Sequence, residues 1–176
     1  MTGRAAVFID NGYLSKISPE GTKIDFEKFS DEACGERERL RTYFYDCMPY
    51  QSDPPTEEEK RRYAQYCKFR DIMEGLPRFQ MRFGRLQKGI GETYEQKRVD
   101  ILLAVDLVRL SWTGQIEYAA IVTGDSDFVP AVEAAKDAGV IVALFYSKKT
   151  AHNELLSAVD ERREMDEEFF GRIQRD

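Results

Sequence analysis

The stretch Tyr118-Ala119-Ala120-Ile121-Val122-Thr123-Gly124-Asp125-Ser126-Asp127-Phe128 decides how the chain is read. It opens as a short apolar run, the pattern of a strand buried on both faces. Gly124 ends the run, and two carboxylates, Asp125 and Asp127, follow at once. Ser126 or Asp127 is placed to cap the helix that comes next, and Pro130 suits that helix's first turn. Two acids therefore sit where a strand's carboxyl end meets a helix N-terminus, the edge at which open parallel α/β sheets bind ligands. Adjacent carboxylates repel each other unless something positive holds them, and a divalent cation is the usual candidate.

The same arrangement occurs near the start of the chain. Ala5-Ala6-Val7-Phe8-Ile9 is a continuous apolar run that predicts a central strand, and Asp10-Asn11-Gly12 ends it. A third carboxylate thus lies at a strand's C-terminal end, although Asp10 and Asn11 also suit a plain Asx turn. Between these strands, Asp25 to Cys34 has helical spacing with Asp25 as cap. The aromatic-rich run Leu40–Met48 reads as a strand. Thr56-Glu57-Glu58-Glu59 is a capping-box opening to a long polar helix that stops at Gly75 and Pro77. Arg78 to Leu86 alternates polar and apolar residues, as a half-exposed edge strand does.

From Arg78 to Arg98, six basic residues (Arg78, Arg82, Arg85, Lys88, Lys97, Arg98) stand against two acids (Glu92, Glu95). That local excess suits a phosphate-bearing substrate, with Arg82, Arg85 and Lys88 as candidate contacts. An edge strand protected by charge accounts for it equally well. The Gly89-Ile90-Gly91 loop is expected to be flexible.

Lys97 to Leu110 is apolar nearly all round and predicts a largely buried helix. Asp100 falls in its first turn, which the helix dipole favours. Asp106 lies about 120° from Asp100 around the axis, and a buried, hydrogen-bonded role is the better reading for it. A helix over 127–138 ending at Gly139, a strand over 140–146 and a short helix at 155–159 follow. The residues after Asp160 are charged, with little periodicity. Residues 1–160 are expected to form the domain, and 161–176 a charged C-terminal tail or peripheral helix.

Strands and helices alternate throughout, which predicts an α/β fold: a mostly parallel, five-stranded sheet between two helical layers. The strands at 5–9 and 118–123 are expected side by side in its centre. Asp10, Asp125 and Asp127 then share one edge, and Asp100 reaches it from the top of its helix. Carboxylate-only ligation selects a hard cation, Mg²⁺ or Mn²⁺. Such clusters serve phosphodiester chemistry, in which the metal activates water and offsets charge on the departing oxygen.

Composition excludes several alternatives. The chain has 176 residues, a net charge of −6 and a single histidine, His152. Chemistry that needs two histidines is out, and the net charge gives no global attraction to nucleic acid. Three scattered cysteines (Cys34, Cys47, Cys67) fit a reducing cytoplasm rather than a disulfide framework. No apolar run approaches the ~20 residues of a membrane span, and no signal peptide is expected. A haloacid-dehalogenase-type phosphatase needs a second Asp two residues after the first, where this chain has Gly12. A flavodoxin-like nucleotide site is disfavoured because no Gly-rich phosphate loop follows Ile9.

Three segments together resemble the NYN domain, a PIN-like family that includes LabA-type bacterial proteins. They are Phe8-Ile9-Asp10-Asn11-Gly12-Tyr13-Leu14, then Lys97-Arg98-Val99-Asp100 with its apolar helix and Asp106, and Val122-Thr123-Gly124-Asp125-Ser126-Asp127-Phe128-Val129-Pro130. Their order and spacing match from about residue 4 to 160, and Thr123 to Phe128 is the most specific part. Arg98 stands where the family often has a small residue. The resemblance implies a PIN-like, Rossmannoid sheet and a metal-dependent ribonuclease of the bacterial cytoplasm, with Asp10, Asp100, Asp125 and Asp127 as metal ligands. It implies that Asn11, Lys97, Thr123 and Ser126 support the substrate or the ligands, and that Asp106 is a recurring acid. The implied partner is an RNA, single-stranded or structured, with no membrane partner and room for a homo-oligomer. The alternative is an RNA-binding regulatory module that has kept the acids but lost turnover.

Overall fold

The computed structural model describes residues 3–88, 94–97 and 99–176; the side chains of 85–88 and 94–97 lie outside that description. Strand β1 (Arg4–Asp10) is followed by helices α1 (Asn11–Ile17) and α2 (Phe26–Cys34), strand β2 (Glu38–Cys47) and helix α3 (Glu57–Glu74). Strands β3 (Phe79–Lys88) and β4 (Tyr94–Lys97) precede helix α4 (Val99–Trp112) and strand β5 (Tyr118–Val122). A single 3₁₀ turn (Ser126–Phe128) leads into α5 (Val129–Asp137), then β6 (Ile141–Tyr146), α6 (Asn153–Ala158), β7 (Glu161–Glu164) and α7 (Glu167–Arg172).

The sheet order is β4-β3-β2-β1-β5-β6-β7. Six strands run parallel, and β4 pairs antiparallel with β3, Arg85 facing Lys97. The expectation of five strands is therefore corrected. The additional strands are β4 and β7, both four residues long and polar, without the apolar run that marks a central strand. β4 covers β3 only at Arg85–Lys88; over Phe79–Gly84, β2 is the one strand paired with β3 among the described residues, as expected of an edge strand.

β1 and β5 are adjacent, pairing from Ala5 with Tyr118 to Ile9 with Val122. The chain leaves β1 towards β2 on one side and, later, β5 towards β6 on the other. The sheet thus reverses its winding between β1 and β5, and their carboxyl ends flank the crevice that such a reversal opens.

Every side chain from Ala5 to Ile9 and from Ala119 to Val122 is fully buried, because helices cover both faces. One core layer joins Val7 and Ile9 to Phe29, Phe44, Met73 and Phe169; the other joins Phe8 and Ile121 to Leu103, Leu107, Phe128 and Val132. Residues 161–176, expected as a tail or peripheral helix, enter the sheet and core. β7 pairs with β6, and α7 buries Phe169 and Phe170 beside the also buried Ile173. The paired aromatics at Phe169-Phe170 overcome the surrounding charge, since burying two such rings is worth about 3–6 kcal/mol.

Local signals act as their chemistry dictates. Asp25 accepts from the amides of Glu27 (3.1 Å) and Lys28 (3.0 Å) to start α2. Thr56 and Glu59 form the reciprocal capping box of α3. Helix α4 is less buried than its composition suggests: Ile101, Val105 and Trp112 are exposed. Helix α5 begins at Val129 without a side-chain cap, and Ser126 and Asp127 form the preceding 3₁₀ turn instead. Asp125 caps that turn, accepting from the amide of Asp127 at 2.9 Å.

Candidate functional site

At the carboxyl ends of β1 and β5 lies an open cleft of about 590 Å³. Asp10, Asp100 and Asp125 line it with Gly12, Tyr13, Lys16, Thr123, Gly124, Thr150 and His152. Each acid arrives from a different element. Asp10 ends β1 and caps α1, accepting from the amide of Tyr13 at 3.3 Å. Asp100 comes from the first turn of α4. Asp125 follows β5, and its amide lies 3.4 Å from the hydroxyl of the fully buried Thr123.

The electrostatics of the edge show crowding of like charge. The Asp10 carboxyl is pushed up to about 6, chiefly by burial, with the charges of Asp100 and Asp46 adding to the effect. Asp100 keeps an exposed edge, and partial desolvation followed by the charges of Asp125 and Asp127 raises it as well. Asp127 itself is exposed on the 3₁₀ turn, outside the cleft wall, yet close enough for Asp100 to feel its charge.

Asp46, inside the run read only as a strand, is a further acid at this edge. It is buried near the end of β2 and accepts from Asn11 Nδ2 (2.8 Å), the Tyr66 hydroxyl (2.5 Å) and the amide of Cys47 (2.9 Å). Burial raises its carboxyl, and the Tyr66, Cys47 and Asn11 hydrogen bonds pull it back. A signal existed: Asp46 follows an apolar aromatic run just as Asp10 does. Asn11 is thereby turned to the side of α1 away from the acid cleft, into a hollow it shares with Tyr66 and Phe69.

Asp106 does not line the cleft. It is buried on α4, takes a 2.8 Å hydrogen bond from the Tyr45 hydroxyl, and pairs with Arg82 (3.2 Å) and Arg109 (3.1 Å). Arg82 is thus held against Asp106 beneath the sheet edge. Ser126 is half-exposed at the start of the 3₁₀ turn. The side chains of Arg85, Lys88 and Lys97 lie outside the described ones, and Arg98 and the Gly89–Gly91 loop lie outside the described residues.

Tyr13 ties the edge together, which no sequence pattern announced. Its hydroxyl accepts from the Ser147 amide (2.9 Å) and bonds the Thr150 hydroxyl (3.1 Å). Its ring lies against Gly124, where an added Cβ would come within 2.4 Å of Cε2. Gly124 has no positive φ, so the glycine is required by space rather than by backbone conformation.

The donor set suits a hard divalent cation: it offers oxygen ligands only, and burial and neighbouring acids raise the Asp10 and Asp100 carboxyls, a strain that a cation would relieve. Among the described residues, however, no three of His, Cys, Asp and Glu stand together closely enough to hold an ion as arranged. Holding one calls for side-chain rotation, which the exposed Asp100 and Asp127 allow. Among the described residues no helix is long and apolar enough to cross a membrane.

A family model for the NYN domain matches residues 4–166. Among solved structures, the chain is similar to a Vibrio parahaemolyticus protein of unknown function. The TM-score is 0.71 over 96% of this chain and 96% of that one, at 18% identity, which is a likeness of fold. None of the curated proteins matches.

Proposed function

The chain belongs to the NYN domain family, whose members are in general nucleases, and from that premise we propose that it is a metal-dependent ribonuclease. The observation that carries this reading is the meeting of Asp10, Asp100 and Asp125 in one cleft at the sheet's winding reversal. NYN-type nucleases typically use divalent metals, and here Asp10, Asp100 and Asp125, joined by Asp127, would hold Mg²⁺ or Mn²⁺. When bound, such a cation supplies a water of lowered pKa and neutralises charge on the scissile phosphate.

The chain's own residues do the rest. Asp10 is fixed in direction by the Tyr13 amide, and Asp125 by the bond it accepts from Asp127. Asp46, gripped by Asn11 and Tyr66, stays behind Asp10 and keeps the edge negative, which favours cation capture over bare anions. Thr123, buried beneath Asp125, and Ser126 support the ligand turn. No side chain is needed as covalent nucleophile. RNA is the proposed partner and hydrolysis of its phosphodiester bonds the proposed reaction. The free cysteines, Cys34 and Cys47 buried and Cys67 half-buried, support a reducing, cytoplasmic setting.

The test is cleavage of labelled single-stranded RNA with Mn²⁺, Mg²⁺ or EDTA, with wild type beside Asp125→Asn and Asp127→Asn. Cleavage that needs metal and disappears in Asp125→Asn is expected. Cleavage in EDTA, or full activity of both variants, overturns the site. Metal-dependent RNA binding without cleavage would instead make the protein a regulatory module.

A further inference from the structure

A second groove of about 610 Å³ adjoins the acid cleft and shares Lys16 and Thr150 with it. Its lining combines apolar residues (Ile17, Pro19, Met165) with Lys148 and Lys149 and with the acids Glu164, Asp166 and Glu167. The common wall is held in place by Tyr13, whose hydroxyl binds both the Ser147 amide and Thr150. The two hollows are therefore fixed relative to each other across the loop after β6.

The charges of this groove are not equally committed. Lys148 is ion-paired with Glu164 at 2.7 Å, whereas Asp166 keeps its charge and turns an oxygen to the amide of Phe169 at 2.8 Å as the cap of α7. Glu167 sits in the first turn of α7, where the helix dipole favours it. Lys16 and Lys149 have no carboxylate partner among the described residues, and both are exposed. An acid edge repels a polyanion, so a bound strand needs cations beside the scissile position rather than at it. Among the described residues lining the acid cleft, Lys16 is the only lysine or arginine, and Lys149 lines the adjoining groove that Lys16 shares.

We propose that the groove over Lys16, Thr150 and Lys149 is the track for the sugar-phosphate backbone of a single-stranded RNA on one side of the cleavage point. This rests on the ribonuclease reading. Lys16 holds a phosphate next to the acids, Lys149 holds one in the adjoining groove, and the apolar side chains of Ile17, Pro19 and Met165 meet ribose and base faces. Recognition is by backbone charge and not by sequence. The blander role for Lys16, at the last turn of α1, is to complement that helix's dipole; it predicts a change in stability and none in salt dependence.

Each lost contact to a single strand lowers the slope of log affinity against log salt by about 0.7, so at 0.1 M salt one contact is worth about 5-fold and two about 25-fold. Fluorescence anisotropy of a labelled single-stranded RNA, in EDTA over a potassium chloride series, reads both quantities without turnover. The variants are Lys16→Ala, Lys149→Ala and their double, with Lys68→Ala on the exposed outer face of α3 as a control for net charge. The expected result is about 5-fold weaker binding for each single variant, about 25-fold for the double with a slope lower by about 1.4, and no change for Lys68→Ala.

Wild-type affinity and slope in the double variant would overturn the track, as would an equal loss in Lys68→Ala or a wild type that does not bind RNA. The parent reading is judged separately, by metal-dependent cleavage in the wild type. If that cleavage persists while the double variant binds normally, the track alone fails.

Discussion

Replacing Asp10 by Asn is expected to stabilise the metal-free protein while removing its proposed activity. The Asp10 carboxyl titrates at about 6 in the folded state against an ordinary 3.8, first because it is buried and then because Asp100 and Asp46 lie nearby. Between those values the folded protein keeps a proton that the unfolded chain has released. Stability therefore falls as pH rises from about 4 to about 6, and the penalty is complete above 6. A displacement of about 2 pH units corresponds to about 3 kcal/mol. Asn can still accept from the Tyr13 amide as a helix cap but carries no charge. The variant should gain up to about 3 kcal/mol at pH 8 and little at pH 4. Urea unfolding in EDTA, followed by far-ultraviolet circular dichroism at both pH values, measures this. Added Mn²⁺ at about 1,000 times its Kd should then reverse the order, since it stabilises the wild type by about 4.1 kcal/mol and the variant has lost a ligand. A variant no more stable than wild type at pH 8, or equally more stable at both pH values, would refute the argument that unpaired charge is stored at this edge.

Three other outcomes follow from the geometry. Gly124→Ala drives a methyl group to 2.4 Å from the Tyr13 ring and should cost about 1–3 kcal/mol in urea, a loss that Tyr13→Ala relieves; the same loss in both backgrounds would show that Tyr13 is not the obstacle. Asp106→Ala removes the shared acceptor of Arg82, Arg109 and Tyr45; the two arginines are partly exposed and can turn to water, so the cost is chiefly the stranded Tyr45 hydroxyl, about 1–3 kcal/mol. Asp106→Asn protein that remains folded should retain metal-dependent cleavage, and its loss would place Asp106 among the working acids. Tyr66→Phe removes a 2.5 Å donor from buried Asp46 and should cost about 1–3 kcal/mol. It should also move the Asp46 carboxyl further up, which a carbon-13 carboxyl titration reads directly; an unmoved titration would mean that the bond contributes nothing.

Much of this protein was legible in one dimension because its central strands are buried on both faces. Ala5–Ile9 and Tyr118–Val122 had to be apolar throughout, and a run of that kind ended by an acid is visible without coordinates. Asp10, Asp100 and Asp125 could be brought to one cleft by topology alone, since right-handed crossovers leave few other arrangements. The edges of the sheet were harder. β4 and β7 are short and polar and stand at the two ends of the strand order, and they carry no hydrophobic period. The tail concealed its packing because Phe169 and Phe170 sit among charges on a helix of only six residues.

The site divides in the same way. Chain order and local pattern determined which acids end which strands, because strand ends and helix starts are marked by residues adjacent in sequence. Only the tertiary structure decided the partners. Asp46 became part of the edge through Asn11 and Tyr66, 35 and 20 residues away. Asp106 was assigned to Arg82 and Tyr45 rather than to the cleft, and Gly124 owes its identity to the ring of Tyr13. Side-chain contacts between elements distant along the chain depend on register and layer packing. No periodicity in the sequence encodes which two side chains will meet once the sheet has closed.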